Sequence, residues 1–154
     1  MRLLAEWVAT AGGVGRLPAA SGTFGSLVGL GMGLAAAKLA APVEWVLLVG
    51  LFFIGIWSST VTERALGTTD PGCVVIDEVW GMWATLAAAG WLLGVWWGVA
   101  VAFGLFRVFD ILKPWPLKRL EQCPAGWGIM LDDAGAAVYA SVILTIVKQL
   151  SGQT

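Results

Sequence analysis

From Val79 to Phe109 the chain runs for 31 residues with Arg107 as its single charge. One helix of that length would measure about 46 Å, well beyond a hydrocarbon core of roughly 30 Å. Read instead as two short crossings, the run turns near Gly90 to Gly94. Trp91, Trp96 and Trp97 then lie near an interface, where indole rings prefer to sit. Three other apolar stretches accompany it. Thr23–Ala41 and Val43–Val61 are 19 residues each, enough to cross, and Ala134–Val147, with Asp132 and Asp133 at its start, extends to Leu150.

The composition points the same way. Charged residues make up 12% of the 154, about half of the roughly 25% that a soluble domain carries. Hydrophobic residues reach 58%, and the mean hydropathy is +0.84. No cleavable signal peptide is expected, because Glu6, Gly12, Gly13, Gly15, Arg16 and Pro18 interrupt Met1–Ala20. The expected architecture is all-α, a polytopic membrane bundle of about five helices forming a single domain over 1–154.

Basic residues choose between four and five crossings. With five, and the N-terminus in the cytoplasm, the cytoplasmic segments hold Arg2, Arg16, Arg64, Arg107, Lys113, Lys118 and Arg119, leaving only Lys38 and Lys148 outside. That split of seven to two obeys the positive-inside rule. Four crossings would put Arg64 and Lys113 on opposite sides. Within the first span Gly25, Gly29, Gly33 and Ala37 recur every four residues, a smooth ridge that lets a second helix approach closely.

Several chemistries are excluded at once. The chain has no histidine, which removes histidine phosphatases, His-ligated metals and Ser-His-Asp triads. Neither Cys73 nor Cys123 opens a Cys-x5-Arg phosphatase loop, since positions 79 and 129 are Val and Ile; both read as reduced thiols.

Five of the ten acidic residues gather in three groups at expected cytoplasmic helix ends: Asp77-Glu78, Asp110 and Asp132-Asp133. Ionisable groups at membrane depth are expensive unless something compensates them. Two readings stand. Asp77 and Asp132 suit N-caps, and Arg107 and Lys113 could compensate Asp110. Alternatively, the carboxylates form a hard-oxygen site for Mg²⁺, with Arg107 and Lys113, each three residues from Asp110, neutralising a transferring phosphoryl group. Zinc is not expected without His or paired Cys ligands. Ser21-Gly-Thr-Phe-Gly-Ser26 opens the first span. Its glycines with the Thr23 and Ser26 hydroxyls can hold an anion, or Thr23 can be a plain N-cap.

Together, Gly22-Thr-Phe-Gly-Ser26, Asp77-Glu-Val-Trp-Gly-Met-Trp83, Phe106-Arg-Val-Phe-Asp-Ile-Leu-Lys-Pro-Trp-Pro116 and Gly128-Ile-Met-Leu-Asp-Asp133 resemble the phosphatidylglycerophosphatase A family. Their order and spacing cover most of residues 12 to 140, and the last two segments are highly specific in combination. The resemblance implies a magnesium-dependent phosphatase of bacterial phospholipid synthesis in the inner membrane. It would take the terminal phosphate from phosphatidylglycerophosphate at the cytoplasmic face, on an all-helical fold shared with soluble relatives. Two departures stand out: Ser21 replaces the usual Pro before Gly-Thr, and Ala136-Ala137 occupy positions where the family tends toward Ala-Gly.

On this reading Asp77, Glu78, Asp110, Asp132 and Asp133 hold metal and position water, while Thr23, Ser26, Arg107 and Lys113 bind the phosphate. Water and an aspartyl-phosphate route both remain open as the nucleophilic step. The partner is a phospholipid in the membrane, and no nucleic acid is expected. A CDP-alcohol phosphotransferase would need two Asp residues four apart after Asp-Gly and Ala-Arg, which are absent. The non-enzyme alternative is a cation transporter or channel subunit, whose acids should lie at mid-membrane in broken helices.

Overall fold

The computed structural model describes residues 1–92, 94 and 96–150. The described residues form helices without strands: α1 (Arg2–Ala9), α2 (Ser21–Ala36), α3 (Ala41–Leu66), α4 (Ile76–Ala88), α5 (Trp96–Leu112), α6 (Leu117–Leu120) and α7 (Gly126–Leu150). Short 3-10 turns lie at Val14–Arg16 and Gly90–Leu92. The long apolar run is indeed two helices. Leu93, inside the expected turn, and Val95, just after it, lie outside the described residues.

Local chemistry sets most boundaries. Pro42 in the first turn starts α3, where a missing N–H is harmless, and Gly67 ends it in the left-handed conformation at φ +68°. The span expected at Val43–Val61 therefore begins two residues earlier and continues to Leu66. The preceding helix stops at Ala36 rather than Ala41, because residues 37 to 40 form the turn. The last helix starts at Gly126, eight residues before Ala134. The Gly126 N–H donates to Thr60 Oγ1 at 3.0 Å, and the glycine sits against the Ile56 carbonyl of α3, too close for a side chain. Gly126 to Leu131 thus belongs to a helix expected to start only at Asp132.

The glycine ridge of α2 packs on α4. Gly25 faces Val75, Gly29 lies on the backbone of Val79, and Gly33 meets Leu86 and Trp83. The small-residue contact lets these two helices approach backbone to backbone. Ala37 is exposed, so the ridge closes on buried Ala36 instead. A core of Met82, Leu86, Phe106, Ala136, Ala140 and Leu144 joins α4, α5 and α7.

The surface is inverted relative to a water-soluble bundle. On α3, Val46 is 70% exposed and Phe53 57%, whereas Glu44, Ser58, Ser59 and Thr62 are buried. Leu112, Val138, Val142 and Ile146 are also exposed. Such a surface suits hydrocarbon. Helices α3 and α7 are long and apolar enough to cross a membrane; α2, α4 and α5, at 16, 13 and 17 residues, are shorter than the roughly 20 of a full span.

A sequence reading alone overlooks α1. Its Ala5 and Ala9 are buried while Leu3 and Trp7 face outward, and the Ala9 carbonyl accepts the Val75 N–H at 2.9 Å. That bond ties α1 to the same end of the bundle as the start of α4.

A buried carboxylate cluster as the candidate active site

The starts of α2, α4 and α7 and the end of α5 meet at one end of the bundle. Asp77 and Glu78 occupy the first turn of α4, Asp132 and Asp133 the second turn of α7, and Asp110 the last turn of α5. The capping reading does not hold for the first two groups. Val75 occupies the N-cap of α4 with no side-chain bond, and Asp132 lies six residues inside α7. Nor is Thr23 a cap, since Ala20, at φ +52°, takes that position on α2.

One carboxylate oxygen each from Asp77, Glu78 and Asp133 lies within 4.8 Å of the others. Asp133 is 2% exposed. Among the described residues, four buried side-chain oxygens lack a hydrogen-bond partner: Ser59 Oγ, Asp77 Oδ1, Glu78 Oε2 and Asp133 Oδ2. Three of the four fall in this one cluster. Buried carboxylates without partners cost several kcal/mol each, and like charges at 4 Å add about 4 kcal/mol per pair at an effective dielectric constant of 20. A hard cation removes both penalties, and an all-oxygen donor set suits one.

The other expected ligands border this trio. Asp110 lies beside Asp133 and Glu78 and pairs with Arg107 Nη1. Asp132 turns toward Lys113, whose Nζ also donates to Glu121 Oε1 at 2.8 Å. Lys113 therefore sides with α7 rather than Asp110, because the helix ends at Leu112 and Lys113 takes φ +43°. Burial alone would lower the Lys113 pKa. Its bonds to Asp132 and Glu121 outweigh that and raise it above the ordinary lysine value, so the ammonium stays charged. At the rim, the Asp70 N–H donates to Glu63 Oε1 at 2.9 Å, and burial raises the Asp70 carboxyl above its usual range.

Arg107 also donates to Ser26 Oγ at 3.3 Å, and that hydroxyl donates to the Gly22 carbonyl at 2.9 Å. Ser26 is thereby committed to holding the guanidinium. Thr23, in the first turn of α2, is half-buried. A side chain at Gly22 would run into Glu78 Oε1 and the Arg107 guanidinium, which brings the α2 backbone directly against the site. Sequence reasoning missed Glu121, which lies in a loop and carried no signal; the glycine motif did draw attention to Gly22, but not to its contact with Glu78 and Arg107.

Fold and site together define a helical protein with a lipid-compatible exterior and a cation-type carboxylate cluster at one end. The family model for phosphatidylglycerophosphatase A matches residues 7–148, and the chain belongs to that family. It is 36% identical over 138 residues to a phosphatidylglycerophosphatase A of Haemophilus influenzae, covering 88% of this chain and 83% of the relative. It is 33% identical over 136 residues to that of Escherichia coli, covering 88% and 78%. A Bacteroides thetaiotaomicron protein, provisionally named a phosphatidylinositol-3-phosphatase, is 36% identical over 150 residues, 94% of both chains. No solved structure matches the chain.

Proposed function

We infer that this chain is a Mg²⁺-dependent phosphatidylglycerophosphate phosphatase, one domain over 1–154, at the cytoplasmic face of a bacterial inner membrane. Family membership supports the reaction, and the single observation that carries the site is the convergence of the Asp77, Glu78 and Asp133 carboxylates, each with one buried oxygen that has no hydrogen-bond partner. Asp77, Glu78 and Asp133 would hold Mg²⁺, with Asp110 and Asp132 completing the acidic surround. Bound there, the ion would neutralise phosphate charge and acidify water.

The chain's own groups do the remaining work. Arg107, braced by Ser26 and Asp110, neutralises equatorial phosphate oxygens, and Lys113 adds a second positive charge. Gly22 in the first turn of α2 packs against Glu78, and Thr23 beside it would offer its hydroxyl to the phosphate. Water adds to phosphorus, the phosphorus–oxygen bond to glycerol breaks, and the proton passes to the departing alkoxide. The products are phosphatidylglycerol and inorganic phosphate. The seven basic residues that a five-crossing topology assigns to the cytoplasmic segments support its placement there. The transporter alternative finds no support, because the acids lie at one end of the bundle and not in broken helices at its middle.

The test is phosphate release by purified protein in detergent, with and without Mg²⁺, from phosphatidylglycerophosphate, phosphatidic acid and phosphatidylinositol 3-phosphate. Release from the first alone, and only with Mg²⁺, is expected. Equal turnover of all three overturns the substrate, and activity persisting in EDTA overturns the metal. A trapped phosphoaspartate would replace direct attack by water.

A further inference from the structure

We propose that the groove between α3, α4 and α7 holds an acyl chain of the lipid substrate, a reading that rests on the lipid-phosphatase function inferred above. The groove has a volume of about 430 Å³, and its lining on α7 starts at the residue after the carboxylate pair. Ala134 on its wall follows Asp133 directly, and Ala137 lies one turn further. On α4, Ala84 and Ala88 fall seven and eleven residues after Asp77, which returns them to the same helix face. Small side chains on both helices hollow out the channel, and Trp45 and Trp80 wall it.

The walls offer little to a polar ligand. Trp80 Nε1 donates to the Leu48 carbonyl at 2.7 Å, and the Thr145 hydroxyl to the Ser141 carbonyl at 2.8 Å. These two polar atoms are satisfied within the protein, and the rest of the lining is mostly alanine, valine, isoleucine and tryptophan. From Ala134 to Gln149 the groove follows α7 for about 22 Å, most of the depth of a hydrocarbon core. An occupant must be long, thin and apolar, with its head at the carboxylate end. An acyl chain meets these demands. A helix of a second copy, the other occupant that small residues admit, has no reason to begin at a charged site.

Depth makes the proposal testable. Ser141 and Thr145 lie eight and twelve residues beyond Asp133, about 12 and 18 Å down the groove. Neither is part of the core, so Ser141→Leu and Thr145→Leu fill the channel at two levels without disturbing packing. Phosphate release is measured on phosphatidylglycerophosphates carrying six-, ten- and sixteen-carbon chains. About eleven bonds of headgroup, roughly 10 Å, separate the scissile phosphate from the first acyl carbon, which puts Ser141 at the head of the chain and Thr145 about six carbons along it. Thr145→Leu should lower kcat/KM about 10-fold or more on the ten- and sixteen-carbon substrates and leave the six-carbon one within about two-fold. Ser141→Leu should penalise all three. Retained six-carbon activity shows that the Thr145 variant is folded. Equal losses at every chain length for Thr145→Leu, no loss in either variant, or conversion of a dimer to a monomer by either substitution would overturn the acyl-chain assignment. Wild-type protein inert on all three lipids would instead sink the phosphatase reading itself.

Discussion

Asp132 and Asp133 are neighbours in α7 but answer to different charges: Asp133 Oδ2 is buried without a partner beside Asp77 and Glu78, while Asp132 Oδ2 receives the Lys113 ammonium. The Asp133 N–H donates to Asp132 Oδ1 at 3.0 Å, which locks the two side chains apart. Their substitutions should therefore separate. Asp133→Asn should reduce phosphate release by more than about 100-fold and weaken Mg²⁺ activation, because it removes a proposed ligand. Asp132→Asn should cost about 10- to 100-fold, the range for groups that orient others, with the Mg²⁺ dependence preserved. Titration of activity against Mg²⁺ for both variants distinguishes the two; matching Mg²⁺ curves would show that the residues share one role.

The same cluster predicts a conflict between stability and activity. Without a cation, three carboxylates crowd one buried site, and neutralising any of them relieves repulsion. Asp77→Asn, Glu78→Gln and Asp133→Asn should each melt at or above the wild-type temperature in EDTA. Wild-type protein alone should gain stability on adding Mg²⁺, by about 2.7 kcal/mol when the ion reaches 100 times its Kd. Thermal unfolding in detergent with and without Mg²⁺ reads both effects, and a variant that responds like wild type is not missing a ligand.

The carboxylates and the five long helices were legible because charge inside apolar sequence is conspicuous and because runs near 19 residues have few other uses. What the sequence hid follows from contacts that only the fold supplies. Gly126 to Leu131 precedes the expected helix start, and joins the helix because the Thr60 hydroxyl accepts the Gly126 N–H and α3 packs on it. Lys113 and Asp110 are spaced to share a helical face, but the helix ends between them and Lys113 swings to Asp132 and Glu121. Helix α1 is eight residues long, too short for its pattern of buried alanines to stand out.

The contact between α2 and α4 gives a paired prediction on packing. A Cβ at Gly29 would meet the backbone of Val79, which cannot rotate away, whereas one at Gly31 would meet nothing. Gly29→Ala should destabilise by about 1–3 kcal/mol through overpacking. Gly31→Ala should be neutral or stabilise by about 0.5–1 kcal/mol, since alanine restricts the unfolded chain. Melting temperatures of the two variants check the difference, and equal shifts would mean that the helices can part at no cost.

Arg107 is held at one nitrogen: Nη1 donates to both Ser26 Oγ and Asp110, and the guanidinium lies beside Gly22. Lysine carries the same charge but cannot reproduce several directional bonds from one flat group. Arg107→Lys should therefore lower kcat/KM for phosphatidylglycerophosphate by about 100-fold or more, comparable to losing a preorganised donor at a developing charge. Ser26→Ala removes only the brace, so its cost should be about 1 kcal/mol, near five-fold, and should fall mainly on kcat if the brace aligns the guanidinium with the transition state rather than the bound lipid. Steady-state kinetics of both variants, with folding checked by thermal unfolding, decides the assignment. An Arg107→Lys enzyme with wild-type kcat would leave the guanidinium a structural partner of Asp110 and nothing more.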